Sequence, residues 1–147
     1  MRQYQRRLPH WDVVGEPQFV TFRLHGTLPA NRAFAPEVLT RAGKAFVAMD
    51  RILDSESSGP LYLRMPEIAE LVVSALRSGE NRFGRYQLHS YVVMPNHVHA
   101  LVTPHVTFTQ WLGPLKGFTA HEANQFLGQS GQPFWQDESY DHLVRSD

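Results

Sequence analysis

The 147-residue sequence contains no cysteine, and that absence removes several classes of protein at once. A disulfide scaffold, a cysteine-ligated zinc centre and a thiol nucleophile are all excluded. There is also no apolar run near the ~20 residues needed to span a membrane. The basic start, MRQYQRRLPHWD, has no apolar stretch behind it and is not a secretory signal. A soluble, cytoplasmic chain without a membrane partner is therefore expected. Lysine is scarce: arginine supplies 12 of the 14 basic side chains. Net charge is absent too, since 14 basic residues meet 14 acidic ones. That balance argues against a uniformly basic nucleic-acid binder but not against a locally basic one.

The charge is in fact segregated. Met1 to Arg32 holds five arginines against Asp12 and Glu16, a surplus of +3. Arg77 to His121 holds Arg77, Arg82, Arg85 and Lys116 against Glu80, again +3. The acids gather in Asp50–Glu70 and Glu122–Asp147. Arginine's planar fork suits phosphate oxygens better than the point charge of lysine. With 42% hydrophobic residues the chain has material for a core, and 147 residues fit one domain.

The apolar pattern gives a coarse order of elements. PQFVTFRL (Pro17–Leu24) is rich in β-branched and aromatic residues and reads as a strand. Pro36 opens a helix in which Val38, Leu39, Ala42, Phe46, Met49 and Leu53 share a face. Pro66 opens another, carrying Ile68, Leu71, Val72, Ala75 and Leu76 to about Gly79. Arg85–Met94 and His97–Thr103 read as two strands joined at Pro95-Asn96 in an antiparallel hairpin. Thr107 caps a helix from Phe108 to about Leu127, which Gly113-Pro114 is expected to kink or interrupt. Phe134–Arg145 forms a last strand or strand pair. The order β-α-(α)-β-β-α-β predicts an α+β fold of ferredoxin-like type, an antiparallel β-sheet with helices packed on one face.

The chemistry concentrates in MPNHVHALV. His97 and His99 are two residues apart, so on a strand both point to one face, while Val98 points into the core. Two adjacent imidazoles can chelate one divalent metal. The alternative is a solvent-facing histidine pair with no ligand. There is no HExxH helix, which excludes the usual metalloprotease arrangement.

The segment YVVMPNHVHALV resembles the His-hydrophobic-His signature of the single-tyrosine HUH transposases, closest to the REP-associated tyrosine transposases. FVTFRLHGTLP is similar to that family's first strand and loop. LKGFTAHEANQFLGQSGQPFWQDESYDHLVR is similar to the segment after its metal strand. The resemblance spans most of the chain, treated as a single domain over residues 1–147. It implies a ferredoxin-like fold acting on single-stranded or hairpin DNA in DNA transposition. It implies that His97 and His99 hold a divalent cation, Mg or Mn, which polarises the scissile phosphate. A tyrosine hydroxyl would attack the phosphorus to give a phosphotyrosine link and a free 3′-hydroxyl. Relatives include monomers and homodimers, some exchanging the helix that carries the tyrosine.

That helix follows the last strand in the family, and it usually brings a further metal ligand. Here the sequence stops at Asp147, so the nucleophilic tyrosine is expected to be missing. Among the tyrosines present (Tyr4, Tyr62, Tyr86, Tyr91 and Tyr140), Tyr140 is the nearest substitute and is read as structural. Tyr4 lies in a basic N-terminal arm. The remaining histidines of note, His89, His105, His121 and His142, are read as structural or solvated. DNA contacts are expected from Arg6, Arg7, Arg23 and Lys116. Two other functions compete with a cleaving transposase domain: an inactive DNA-binding module for repeat hairpins, and a small metal-dependent hydrolase.

Overall fold

The computed structural model describes residues 2–5, 9–27, 59–137 and 140–143. The helix expected between Pro36 and Leu53 lies outside them, as do Arg6 and Arg7. The elements run β1 (Arg2–Gln5), β2 (Pro9–Asp12), β3 (Gln18–Arg23), a short 3-10 turn (Tyr62–Arg64), α1 (Pro66–Asn81), β4 (Tyr86–Val93), β5 (His97–Pro104), α2 (Phe108–Leu127) and β6 (Tyr140–Leu143). Four strands form one antiparallel sheet in the order β4-β5-β3-β6. The α+β reading therefore holds, with α1 and α2 packed on one face of that sheet.

Alternation along the strands produces the layers. On β5, Val98, Ala100 and Val102 are buried and meet Phe22, Val20 and Gln18 of β3 across the pair. The same face takes Ile68, Val72 and Leu76 from α1, and Trp111, Leu112 and Leu115 from α2. Burying such side chains contributes about 1.5–3 kcal/mol each, which is why the two helices stay on this face. The odd-numbered residues of β3 and β5 therefore belong to the other face. A bulge at His89 shifts the register of β4 between Leu88 and Ser90. It keeps Tyr86 and Leu88 on the helix side before it, and Tyr91 and Val93 there after it.

Three differences from the sequence reading have physical causes. The N-terminal segment is not only an arm: β1 and β2 pair as an antiparallel hairpin, Arg2 opposite Asp12 and Gln5 opposite Pro9. Its residues are mostly polar, so no apolar alternation signals it. Secondly, α2 continues through Pro114. Pro114 removes one backbone donor, but Gly113 and Pro114 are exposed, so water can reach the freed carbonyl. Trp111 and Leu112 before the proline and Leu115, Thr119 and Ala123 after it anchor both halves. The helix starts with a capping box, the Gln110 side chain accepting the Thr107 N–H at 3.0 Å. It ends at Gly128, whose φ of 70° is the left-handed conformation that glycine adopts without strain.

The third difference is at the C-terminal end, where the last strand or strand pair expected over Phe134–Arg145 is a single bridge followed by a four-residue strand. Trp135 bridges Leu24, and β6 begins at Tyr140. Polar side chains tie the intervening loop down. Asn124 donates to the Gln132 carbonyl at 2.7 Å, and Gln129 to Asn124 at 2.9 Å. The Trp135 indole donates to the Thr119 hydroxyl at 2.8 Å, and Gln136 N–H to the Arg23 carbonyl at 2.8 Å. This clamp brings the chain back beside β3, so that β6 forms the edge next to it. Among the described residues no helix is long and apolar enough to cross a membrane.

Candidate metal and nucleic-acid site

His97 and His99 stand on the sheet face opposite the helices. The Pro95-Asn96 turn places the first of them. Met94 N–H donates to the His97 carbonyl at 2.8 Å and closes the hairpin. The turn's own carbonyls are held from outside: Asn96 accepts Leu24 N–H at 2.9 Å, and Pro95 accepts Leu63 N–H at 3.1 Å. With both turn carbonyls bound and Val98 fully buried, the strand has little freedom to slip.

The two imidazole rings are nearly perpendicular, with centroids 4.7 Å apart. Their Nε2 atoms face each other at 3.1 Å. Each Nδ1 is engaged behind. His97 Nδ1 lies 2.7 Å from Asn96 Oδ1, and His99 Nδ1 lies 2.8 Å from Thr21 Oγ1. An amide oxygen only accepts, so His97 carries its proton on Nδ1 and presents a lone pair at Nε2. A hydroxyl both donates and accepts, so Thr21 can serve either tautomer of His99. Without an ion, His99 Nε2–H can donate to His97 Nε2. With an ion held there, His99 would carry its proton on Nδ1, and both Nε2 atoms would be free to act as ligands. Partners behind the ring of this kind fix the orientation of metal-binding histidines.

The pair fits a divalent cation. Two nitrogens 3.1 Å apart suit neighbouring positions around an ion with metal–nitrogen bonds of about 2.1 Å. Among the described residues no third His, Asp or Glu joins them. Among the described residues two nitrogens face this place, and oxygen donors such as water or phosphate would suit further positions around an ion.

Of the expected DNA-contact residues, Arg23 lies opposite His97 in the β3–β5 register and is buried. Its guanidinium is fully enclosed in the fold. Lys116 is on α2 and donates to the Gln136 carbonyl at 2.6 Å, which joins it to the clamp behind Arg23. Lys116 and the histidine pair thus sit on different layers.

Three of the tyrosines have described side chains. Tyr86 is buried on the helix side and donates to the Leu76 carbonyl. Burial, helped by the nearby Glu80 charge, pushes its phenol far above the usual range, so it stays protonated. Tyr91, opposite Ala100 on the same side, accepts from Arg77 at 3.0 Å. Tyr62 stacks on Phe134. All three are held away from the histidine pair. Tyr140 pairs with Thr21, so Val92, His99, Thr21 and Tyr140 occupy one row across four strands.

Four other histidines, His89, His105, His121 and His142, go elsewhere. His89, at the bulge, contacts the Thr103 hydroxyl at 2.7 Å. Thr103 is four residues along β5 from His99, about 13 Å at the strand rise. His105 is exposed after β5, and His121 is exposed on α2 near Glu122. His142 pairs with Phe19 on β6. Thr21 and Asn96 were not singled out from sequence. The signal available was a threonine at an alternating strand position and a carboxamide directly before the first histidine.

Structural comparison decides the fold. The chain superposes along its full length on a REP-associated tyrosine transposase bound to a REP hairpin, with a TM-score of 0.55 and 15% identity. The fold is shared with that transposase. The chain spans 64% of that protein's length. No family model matches the sequence, and neither does any curated protein.

Proposed function

We propose that this chain is a transposase-type domain that binds single-stranded or hairpin DNA and presents one phosphodiester to the His97–His99 pair for strand cleavage and joining. The supporting observation is the pair of Nε2 atoms at 3.1 Å, backed by Asn96 and Thr21, on a fold shared with a hairpin-bound transposase. A divalent cation, Mg or Mn, would be held by His97 and His99 and would supply Lewis-acid polarisation of the phosphate.

The chain's own residues do the rest. Asn96 holds the His97 proton on Nδ1, and the Thr21 hydroxyl oxygen accepts a hydrogen bond from His99 Nδ1–H. The attacking hydroxyl has to come from the sheet face that carries the histidines, which Tyr86 and Tyr91 do not share. Tyr140, on the row with His99 and Thr21, is the tyrosine of β6 to substitute first.

The three engaged tyrosines also favour a second reading, an inactive module that binds hairpins without cutting them. One assay separates the two. A radiolabelled hairpin oligonucleotide is incubated with the chain and Mn, then run on native and denaturing gels. Binding that weakens with salt supports both readings, since neutralised phosphates release counterions. A covalent protein–DNA band that requires His97 supports cleavage, and its loss in Tyr140→Phe would identify the nucleophile. Retained binding without a covalent band supports the module. No hairpin binding at low salt would contradict both and favour the small hydrolase.

A further inference from the structure

A second polar–aromatic site lies in the helical layer, away from the histidines. Between α1 and α2 is a cleft of about 460 Å³. Phe83 and Phe118 line it and are 51% and 55% exposed, unusual for phenyl rings. The guanidinium groups of Arg82 and Arg85 lie over the Phe83 ring, 5.4 and 4.4 Å from its centroid. Ser74 and Ser78 add hydroxyls to the wall. Among the described residues the lining includes two arginines and no carboxylate. The nearby Glu80 is engaged, accepting Leu88 N–H at 2.7 Å.

Exposed aromatics beside arginines, with no acid among them, are what a nucleotide needs: a surface for the base and cations for the phosphate. An apolar peptide would leave the two guanidinium groups without counter-charge.

We propose that this cleft takes an unpaired nucleotide from the loop of a DNA hairpin. The base rests against Phe83 and Phe118, and its phosphate meets Arg82 and Arg85. This deepens the DNA-binding reading and rests on it.

The test compares a hairpin with the same stem as a blunt duplex, by fluorescence anisotropy at one salt concentration. A second hairpin carries 2-aminopurine in its loop. Phe83→Ala and the double variant Arg82→Ala/Arg85→Ala are used, with Phe118→Ala as an independent check. The phenylalanines are exposed, so an unchanged melting temperature is expected for their variants. Phe83→Ala should weaken hairpin binding roughly tenfold to a hundredfold, the usual loss for one stacked base, and leave the duplex unaffected. Loop 2-aminopurine fluorescence should change on binding to the wild-type chain and not to saturating Phe83→Ala. Equal hairpin affinity in all variants would overturn the proposal while leaving hairpin recognition intact. So would saturable binding of an acidic peptide that Phe83→Ala abolishes, with hairpin affinity unchanged. Failure of the wild-type chain to bind any hairpin would sink the DNA reading itself.

Discussion

Replacing Asn96 with alanine tests how the histidine pair is organised. Asn96 is 4% exposed, and its Oδ1 is 2.7 Å from His97 Nδ1. Alanine removes the acceptor in a place that water does not easily refill. The Nδ1 proton then loses its preference over Nε2, and the ring loses its tether. Removing such a partner typically lowers metal affinity about 10–100-fold, or roughly 1.4–2.8 kcal/mol. The turn should persist, because it is the Asn96 backbone carbonyl that accepts Leu24 N–H. Thr21→Val should cost less, since a hydroxyl that can donate or accept imposes no single tautomer on His99. Asn96→Asp keeps the acceptor and strengthens it with charge, so affinity should be retained or raised. Calorimetric titration with Mn at neutral pH gives the order: aspartate variant at least equal to wild type, then Thr21→Val, then Asn96→Ala. Wild-type affinity in Asn96→Ala, alongside lost affinity in His97→Ala, would refute this account of the tautomer.

Two further predictions concern the framework. At Gly79 an added Cβ would collide with the hydroxyl end of the buried Tyr86 ring, which cannot swing away. Overpacking of that kind costs about 1–3 kcal/mol and should outweigh the gain of up to ~1 kcal/mol in helix propensity. In contrast, Gly117 has open space around its Cβ position, so Gly117→Ala should stabilise the chain in urea melts while Gly79→Ala destabilises it. The Tyr86 phenol, raised by burial, sets an alkaline limit. Above pH ~10 the unfolded chain loses this proton while the folded chain keeps it, so stability falls as pH rises. Alkaline melts should therefore show a shallower decline for Tyr86→Phe than for the wild type.

Much of the fold was readable because it follows period and punctuation. Val98, Ala100 and Val102 alternate with His97, His99 and Leu101, and that alternation alone put the histidines on one face and the core on the other. Pro66 and Thr107 marked both helix starts correctly. The β1–β2 hairpin was hidden because RQYQ and PHWD carry no apolar alternation in sequence. Of the kink or interruption expected at Pro114, the interruption does not occur, because buried residues anchor the helix on either side of it.

The site was half legible. His97 and His99 could be paired by spacing, but their partners come from different places. Asn96 is a neighbour in sequence, whereas Thr21 reaches His99 only through a strand pairing 78 residues apart. Arg23 shows the same limit: composition suggested an exposed cation, and the register put it buried opposite His97. The Phe83 cleft depends on the packing of two helices, which no local pattern encodes.

The most direct test of the central claim is Mn binding in the presence of hairpin DNA, measured by electron paramagnetic resonance. One bound ion per chain is expected, lost in both His97→Ala and His99→Ala, with hairpin affinity lowered when the metal is chelated. Undiminished Mn binding in both variants, or none in the wild-type chain, would contradict it.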